Sequence, residues 1–180
     1  MGASVFEILS ISLIVLWLVS CAYTDIKWRK IANSLTLGAY LPALLVLIMM
    51  QQTLLGASVS AGLLAWLVAL VLTLPAYAVN WLGAGDVKML SVFGLMTGLQ
   101  FMLSSYAVAG ILAGLIVVCS LLGRRYIPYL NLQLSKLGWQ LPAAAMINGK
   151  SLPFGALLAV GGLLLLALHL TGIVNVVAVA

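Results

Sequence analysis

The chain has 180 residues, of which 65% are hydrophobic and 6% charged. A soluble domain carries about 25% charged residues, and one of this length has no core large enough to hide so much apolar surface. The mean hydropathy of +1.27 makes lipid the solvent, and the net charge of +5 comes from eight basic residues that all lie in short gaps between apolar runs, a pattern of membrane topology and not of a nucleic-acid face.

Only helices and closed barrels satisfy their backbone polar groups inside a bilayer. The apolar runs here are long and continuous, without the period-two alternation of a barrel strand, so helices are predicted. A crossing helix needs about 20 apolar residues. Six candidates follow in chain order: Ser4–Tyr23, Asn33–Met50, Gly56–Val79, Val87–Leu103, Tyr106–Leu122 and Leu152–Thr171. The fourth and fifth are short and are expected to turn about Ser104–Ser105. The fold class is therefore an all-α integral membrane protein of about six transmembrane helices, in a single domain over residues 1–180.

Charge sets the orientation. Lys27, Arg29 and Lys30 follow the first run, Lys88 the third, and Arg124, Arg125, Lys136 and Lys150 the fifth. With six spans every one of these gaps falls on one side. Lys and Arg collect on the cytoplasmic side, so both termini are expected outside the cytoplasm. Residues 124–151 form the longest gap. Tyr126, Tyr129 and Trp139 among its basic residues suggest a cytoplasmic interfacial loop, with Pro128 and Pro142 as breakers. Leu18-Val19-Ser20-Cys21 is similar to a lipoprotein processing site, but no Lys or Arg precedes residue 27, so the first run reads as a retained span.

The residues able to do chemistry are few. Cys21 and Cys119 lie inside apolar runs, and His169, the single histidine, lies in the last one. A zinc site needs about four N or S ligands at short spacing, so neither a metal nor another cofactor is expected. The acids are Glu7, Asp25 and Asp86. Asp25 and Asp86 each stand at the same end of a predicted span, where an ionisable group is costly and is by default a functional candidate. Asp86 lies in Gly83-Ala84-Gly85-Asp86-Val87-Lys88, and its glycines permit a tight bend and close backbone approach. Two carboxyls a few ångströms apart share a proton near neutral pH. Such a pair supplies a base to activate water and an acid for an amide carbonyl. The structural alternative is that Asp86 caps a helix and Asp25 pairs with Lys27 or Arg29.

At these residues the sequence resembles the type IV prepilin peptidases among the Gly-x-Gly-Asp intramembrane aspartyl peptidases. Gly83-Ala84-Gly85-Asp86 matches the second catalytic motif. Asp25, with Ile31, Asn33 and Thr36 behind it, matches the first, although Ala32 stands where the family often has proline. Pro153-Phe154-Gly155 looks like the family's Pro-aromatic-Gly element. The resemblance implies a catalytic dyad of Asp25 and Asp86 that removes the basic leader from prepilin-like single-helix substrates at the cytoplasmic face of a bacterial inner membrane. It further implies that Gly83 and Gly85 admit the substrate strand, that Lys88 holds the loop or tunes Asp86, that Asn33 caps the second span or bonds substrate, and that Pro153 starts the sixth. The Gly83–Gly85 loop is expected to be mobile until substrate binds. Larger members carry an N-terminal zinc-binding domain and methylate the new terminus; with Asp25 so early, neither is expected here, and the short form looks like the stand-alone peptidases of tight-adherence pili. Two rival readings are a proton- or cation-coupled small transporter, which calls for polar residues at mid-depth in several spans, and a non-catalytic membrane assembly subunit.

Overall fold

The structure is a computed structural model that describes residues 5–134 and 153–172, and of Arg124 and residues 126–134 only the backbone. Six helices follow in order: α1 (Val5–Trp28), α2 (Asn33–Met50), α3 (Val59–Ala78), α4 (Ala84–Thr97), α5 (Leu99–Leu134) and α6 (Phe154–Leu170). The protein is all-α, and α1, α2, α3 and the Leu99–Gly123 part of α5 are each long and apolar enough to cross a membrane. At 1.5 Å per residue, α4 and α6 fall short of the roughly 20 residues a crossing requires. The chain divides into two compact units, residues 1–109 with 153–180, and residues 110–152.

In the first unit each long helix turns one narrow stripe inward and leaves large apolar side chains outside. The α1 stripe is Ser10, Ile14, Leu18, Cys21 and Asp25; the α2 stripe is Thr36, Ala39, Ala43 and Leu47; the α3 stripe is Gly62, Ala65, Ala69 and Thr73. These three- and four-residue steps keep one helical face. Outside it, Leu16 and Leu41 are each 68% exposed and Met49 76%, a surface suited to lipid. Lipid gives no hydrophobic gain for helix association, so close van der Waals packing and interhelical hydrogen bonds hold the bundle.

α4 is the reverse case. Every residue from Met89 to Thr97 is buried, as expected of a helix apolar all round. It packs on α3, α2 and α6, while α1 packs on α6. Phe93 stacks on Trp17 at 6.3 Å and meets Phe101 edge-on at 6.0 Å. Gly94 lies directly on α3: a Cβ there would stand 3.0 Å from the Ala65 carbonyl carbon. Polar bonds add to this packing, with Trp17 Nε1 donating to the Leu35 carbonyl at 2.9 Å and the Tyr40 and Ser91 hydroxyls 2.6 Å apart.

Two sequence expectations are corrected. The break between the fourth and fifth helices falls at Gly98, not at Ser104–Ser105. Gly98 has φ +88°, a conformation that favours glycine, whereas Ser105 is buried inside α5. Residues 124–134 were expected to begin a loop broken at Pro128, but α5 continues through them to Leu134. The remainder of that segment, including Pro142, lies outside the described residues. In the second unit Gly110 and Gly114 have no atom among the described residues within 4 Å of where a Cβ would stand, whereas a Cβ on Gly98 would meet Ala57 at 2.8 Å.

Gly94→Ala is expected to lower stability by about 1–3 kcal/mol through overpacking. Gly114→Ala is expected to be neutral or to add up to about 1 kcal/mol from helix propensity. Thermal unfolding midpoints in one detergent compare the two; equal midpoints would refute the packing account.

Candidate active site

Asp25 closes the inward stripe of α1, one turn after Cys21, and helical register therefore buries it to 5% exposure. Three residues later α1 ends. Arg29 takes φ +54° and its amide bonds back to the Asp25 carbonyl at 2.8 Å. This is a left-handed helix terminator, at a cost of about 1 kcal/mol for a side chain other than glycine. The turn carries Ile31 back over the end of the bundle, where it is buried.

Asp86 arrives from the other direction. Gly83 is the N-cap of α4 and Asp86 the third helical residue; its Oδ2 accepts from the Gly83 amide at 3.1 Å. That is the reciprocal half of a capping box. It holds the carboxyl at the positive end of the helix dipole. Ala84 and Gly85 are already helical, and a Cβ on Gly85 would stand 3.1 Å from the Ile31 Cβ. Gly83 and Ala84 are exposed, and the space over Gly85 is filled by the chain's own Ile31.

α6 brings the two acids together. Pro153 is its N-cap, one place earlier than the first-turn position expected, and the Ala156 amide donates to Asp25 Oδ2 at 2.8 Å. A Cβ on Gly155 would lie 3.1 Å from Asp25 Oδ2 and 3.2 Å from Asp86 Oδ1. The two oxygens are thus no farther apart than the sum of those distances, 6.3 Å. Beside them opens a cavity of about 390 Å³ walled by residues 29–31 and 83–85. Among the described residues no cluster of three His, Cys, Asp or Glu side chains is placed to hold a metal ion.

The other predicted residues divide. Lys88 Nζ donates to Asn33 Oδ1 at 2.9 Å, so this pair ties α2 to α4, and the Asn33 side chain does not cap α2, whose N-cap is Ala32. Phe154 packs edge-on against Tyr106 at 5.8 Å. Lys27, a considered partner of Asp25, instead bonds the Tyr23 hydroxyl at 3.0 Å and lies over the Trp28 ring. Sequence reasoning gave Lys30 a topological role only and Arg29 that role or a pairing with Asp25, and both wall the cavity. It placed Ile31 in the first motif without a contact; in the structure Ile31 packs against Gly85, and a Cβ on Gly155 would strike its Cδ1 at 2.6 Å.

Residues 12–118 match the sequence model of the type IV leader peptidase family. The chain belongs to that family. No curated protein and no solved structure matches it. The matched stretch contains both aspartates and the Gly83–Lys88 motif but ends before α6, so the contribution of Gly155 and Ala156 comes from the structure.

In this leader peptidase the ionisation of Asp86 is perturbed. Burial pushes its carboxyl up from 3.8 to about 6; the Gly83 amide opposes the rise and the Asp25 charge adds to it. A carboxyl whose folded pKa is raised contributes stability below its unfolded value and loses it as pH rises through the folded one. Asp86→Asn removes that loss while keeping an acceptor for Gly83. It is expected to be more stable than wild type above pH 6 by about 1–2 kcal/mol, with the difference gone below about pH 4. Unfolding midpoints across this range check it; a pH-independent difference would contradict the shift.

Proposed function

We propose that this leader peptidase is an intramembrane aspartyl endopeptidase that removes the basic leader of prepilin-like, single-helix membrane proteins at the cytoplasmic face of a bacterial inner membrane. The observation that carries the proposal is the placement of two carboxyl oxygens within 6.3 Å of each other around Gly155, beside an open cavity. Membership of a peptidase family supports the reaction type. Lys27, Arg29, Lys30 and Lys88 lie near the aspartates in sequence, which supports a cytoplasmic placement of that end.

The chemistry follows from sharing one proton. The ionised carboxylate takes a proton from a water lying between the pair, and the water oxygen attacks the scissile carbonyl carbon. The protonated carboxyl gives its proton to the carbonyl oxygen, forming a gem-diol. Collapse of the diol breaks the C–N bond as the amine nitrogen takes a proton from the carboxyl that received it from water, while the other carboxylate takes back a diol hydroxyl proton as the new C=O forms. The roles of the pair are reset for the next turnover. The other nucleophile routes lack a base: His169 stands thirteen residues beyond Ala156 on α6, about 20 Å along the axis.

Asp25→Asn and Asp86→Asn are each expected to lower cleavage of a co-expressed prepilin by at least about a thousandfold, with normal accumulation in membranes. Wild-type rates in either variant would end the two-aspartate mechanism. With Asp86 near 6, kcat/KM is expected to fall about tenfold per pH unit on the alkaline side of that value, because this parameter reports free-enzyme ionisations. A flat profile from pH 5 to 9 would exclude Asp86 as the proton-holding member. Gly155→Ala places a methyl between the carboxyls and is expected to cost about a hundredfold in kcat, read beside an unchanged yield of folded protein.

A further inference from the structure

Away from the dyad, a second opening of about 230 Å³ lies between α1 and α2, walled by Leu13 and Trp17 on one side and Ser34, Leu35, Gly38 and Pro42 on the other. α1 and α2 share little packing although they are consecutive. The Trp17 indole N–H is already bonded to the Leu35 carbonyl, so the wall it forms presents an aromatic face and no unused donor. Gly38 is exposed and has no atom within 4 Å of its missing Cβ. One turn on, Pro42 lies inside the helix. Proline has no N–H, so the Gly38 carbonyl lacks the donor four residues ahead. The groove thus combines a smooth apolar wall, a position where a second backbone can approach closely, and an acceptor without its helical partner.

Its position relates it to the dyad. Trp17 and Leu13 precede Asp25 on α1 by eight and twelve residues, about 12 and 18 Å along the axis. Ser34 follows Ile31, which walls the dyad cavity, by three residues. We propose that the α1–α2 groove seats the apolar helix of the substrate, downstream of the bond that the dyad cuts. This rests on the leader-peptidase reading above and adds where the uncut helix lies. A lipid chain would fill the groove without using the Gly38 carbonyl. A helix backbone brought close by glycine offers Cα–H donors to it. At helical rise the residues facing the groove stand about 8–12 positions after the scissile bond.

The test uses site-directed cross-linking in membranes, with Cys119→Ser to remove the exposed thiol and Asp86→Asn to retain uncut substrate. Gly38→Cys is expected to cross-link to single cysteines about 8–12 residues downstream of the scissile bond, at three- and four-residue intervals. Leu67→Cys, exposed on α3, is expected to give none. In the active chain Gly38→Leu is expected to raise KM for the membrane substrate at least about tenfold with little change in kcat, and Gly38→Ala to stay within about twofold of wild type. If Gly38→Leu loses folded protein, the cross-links decide. Cross-linking no stronger at Gly38→Cys than at Leu67→Cys, or a wild-type KM in Gly38→Leu, overturns the proposal and leaves the groove to lipid, while the dyad stands so long as wild type cleaves and Asp25→Asn does not. If wild type shortens no such substrate, the leader-peptidase reading falls and the groove assignment falls with it.

Discussion

The hydrogen bond from the Ala156 amide to Asp25 sets the geometry of the dyad end. It places the first turn of α6 against the last turn of α1, and that contact is possible only because the preceding residue is Gly155. Any side chain there would occupy the space between two carboxyl oxygens and the tip of Ile31. An amide at a helix N-terminus is a fixed donor with favourable dipole orientation, so it holds a carboxylate without adding a full positive charge that would quench its basicity. Asp86 is held in the same manner by Gly83 at the start of α4. Each acid is therefore positioned by backbone, and the two meet because two helix starts converge on one helix end.

Ile31 keeps these parts in register. The chain leaves α1 through the strained turn at Arg29 and lays Ile31 across Gly85 on one side and Gly155 on the other. Two glycine-dependent contacts, from the starts of α4 and α6, thus share one apolar side chain. The Lys88–Asn33 bond fastens the same turn from outside. Rigid support of this kind suits acid–base catalysis, where small displacements of reacting groups are costly.

Burial of two carboxyls is unfavourable unless they are neutral or well bonded, which explains their location. They stand at helix ends, where amides are unpaired and water has access through the cavity, and not at mid-depth among lipid-facing side chains. Below them the bundle is held by small residues of α2 and α3 against the buried Met89–Thr97 stretch of α4. The proposed reaction needs water at the dyad and an apolar helix beside it, and the cavity lined by Asp25 and the groove lined by Leu13 and Trp17 offer those two environments along α1.

The sequence by itself determined the solvent, the helical class, the boundaries of α2, and the two aspartates as the sole acids at matched helix ends. Those features are written in composition and local pattern: apolar run length reports lipid, and a carboxyl beside paired glycines at a helix start reports a special environment. It misplaced the α4–α5 break because two serines resemble a turn, whereas the left-handed backbone of Gly98 makes one. It ended the fifth helix at Leu122, before a stretch of cations, tyrosines and a proline through which α5 in fact continues. What only the tertiary structure decided was proximity. That Gly155 lies between Asp25 and Asp86, that Ile31 fills the space above Gly85, and that Arg29 and Lys30 wall the cavity depend on contacts among α1, α4 and α6, and no local periodicity encodes a contact between residues 25 and 156.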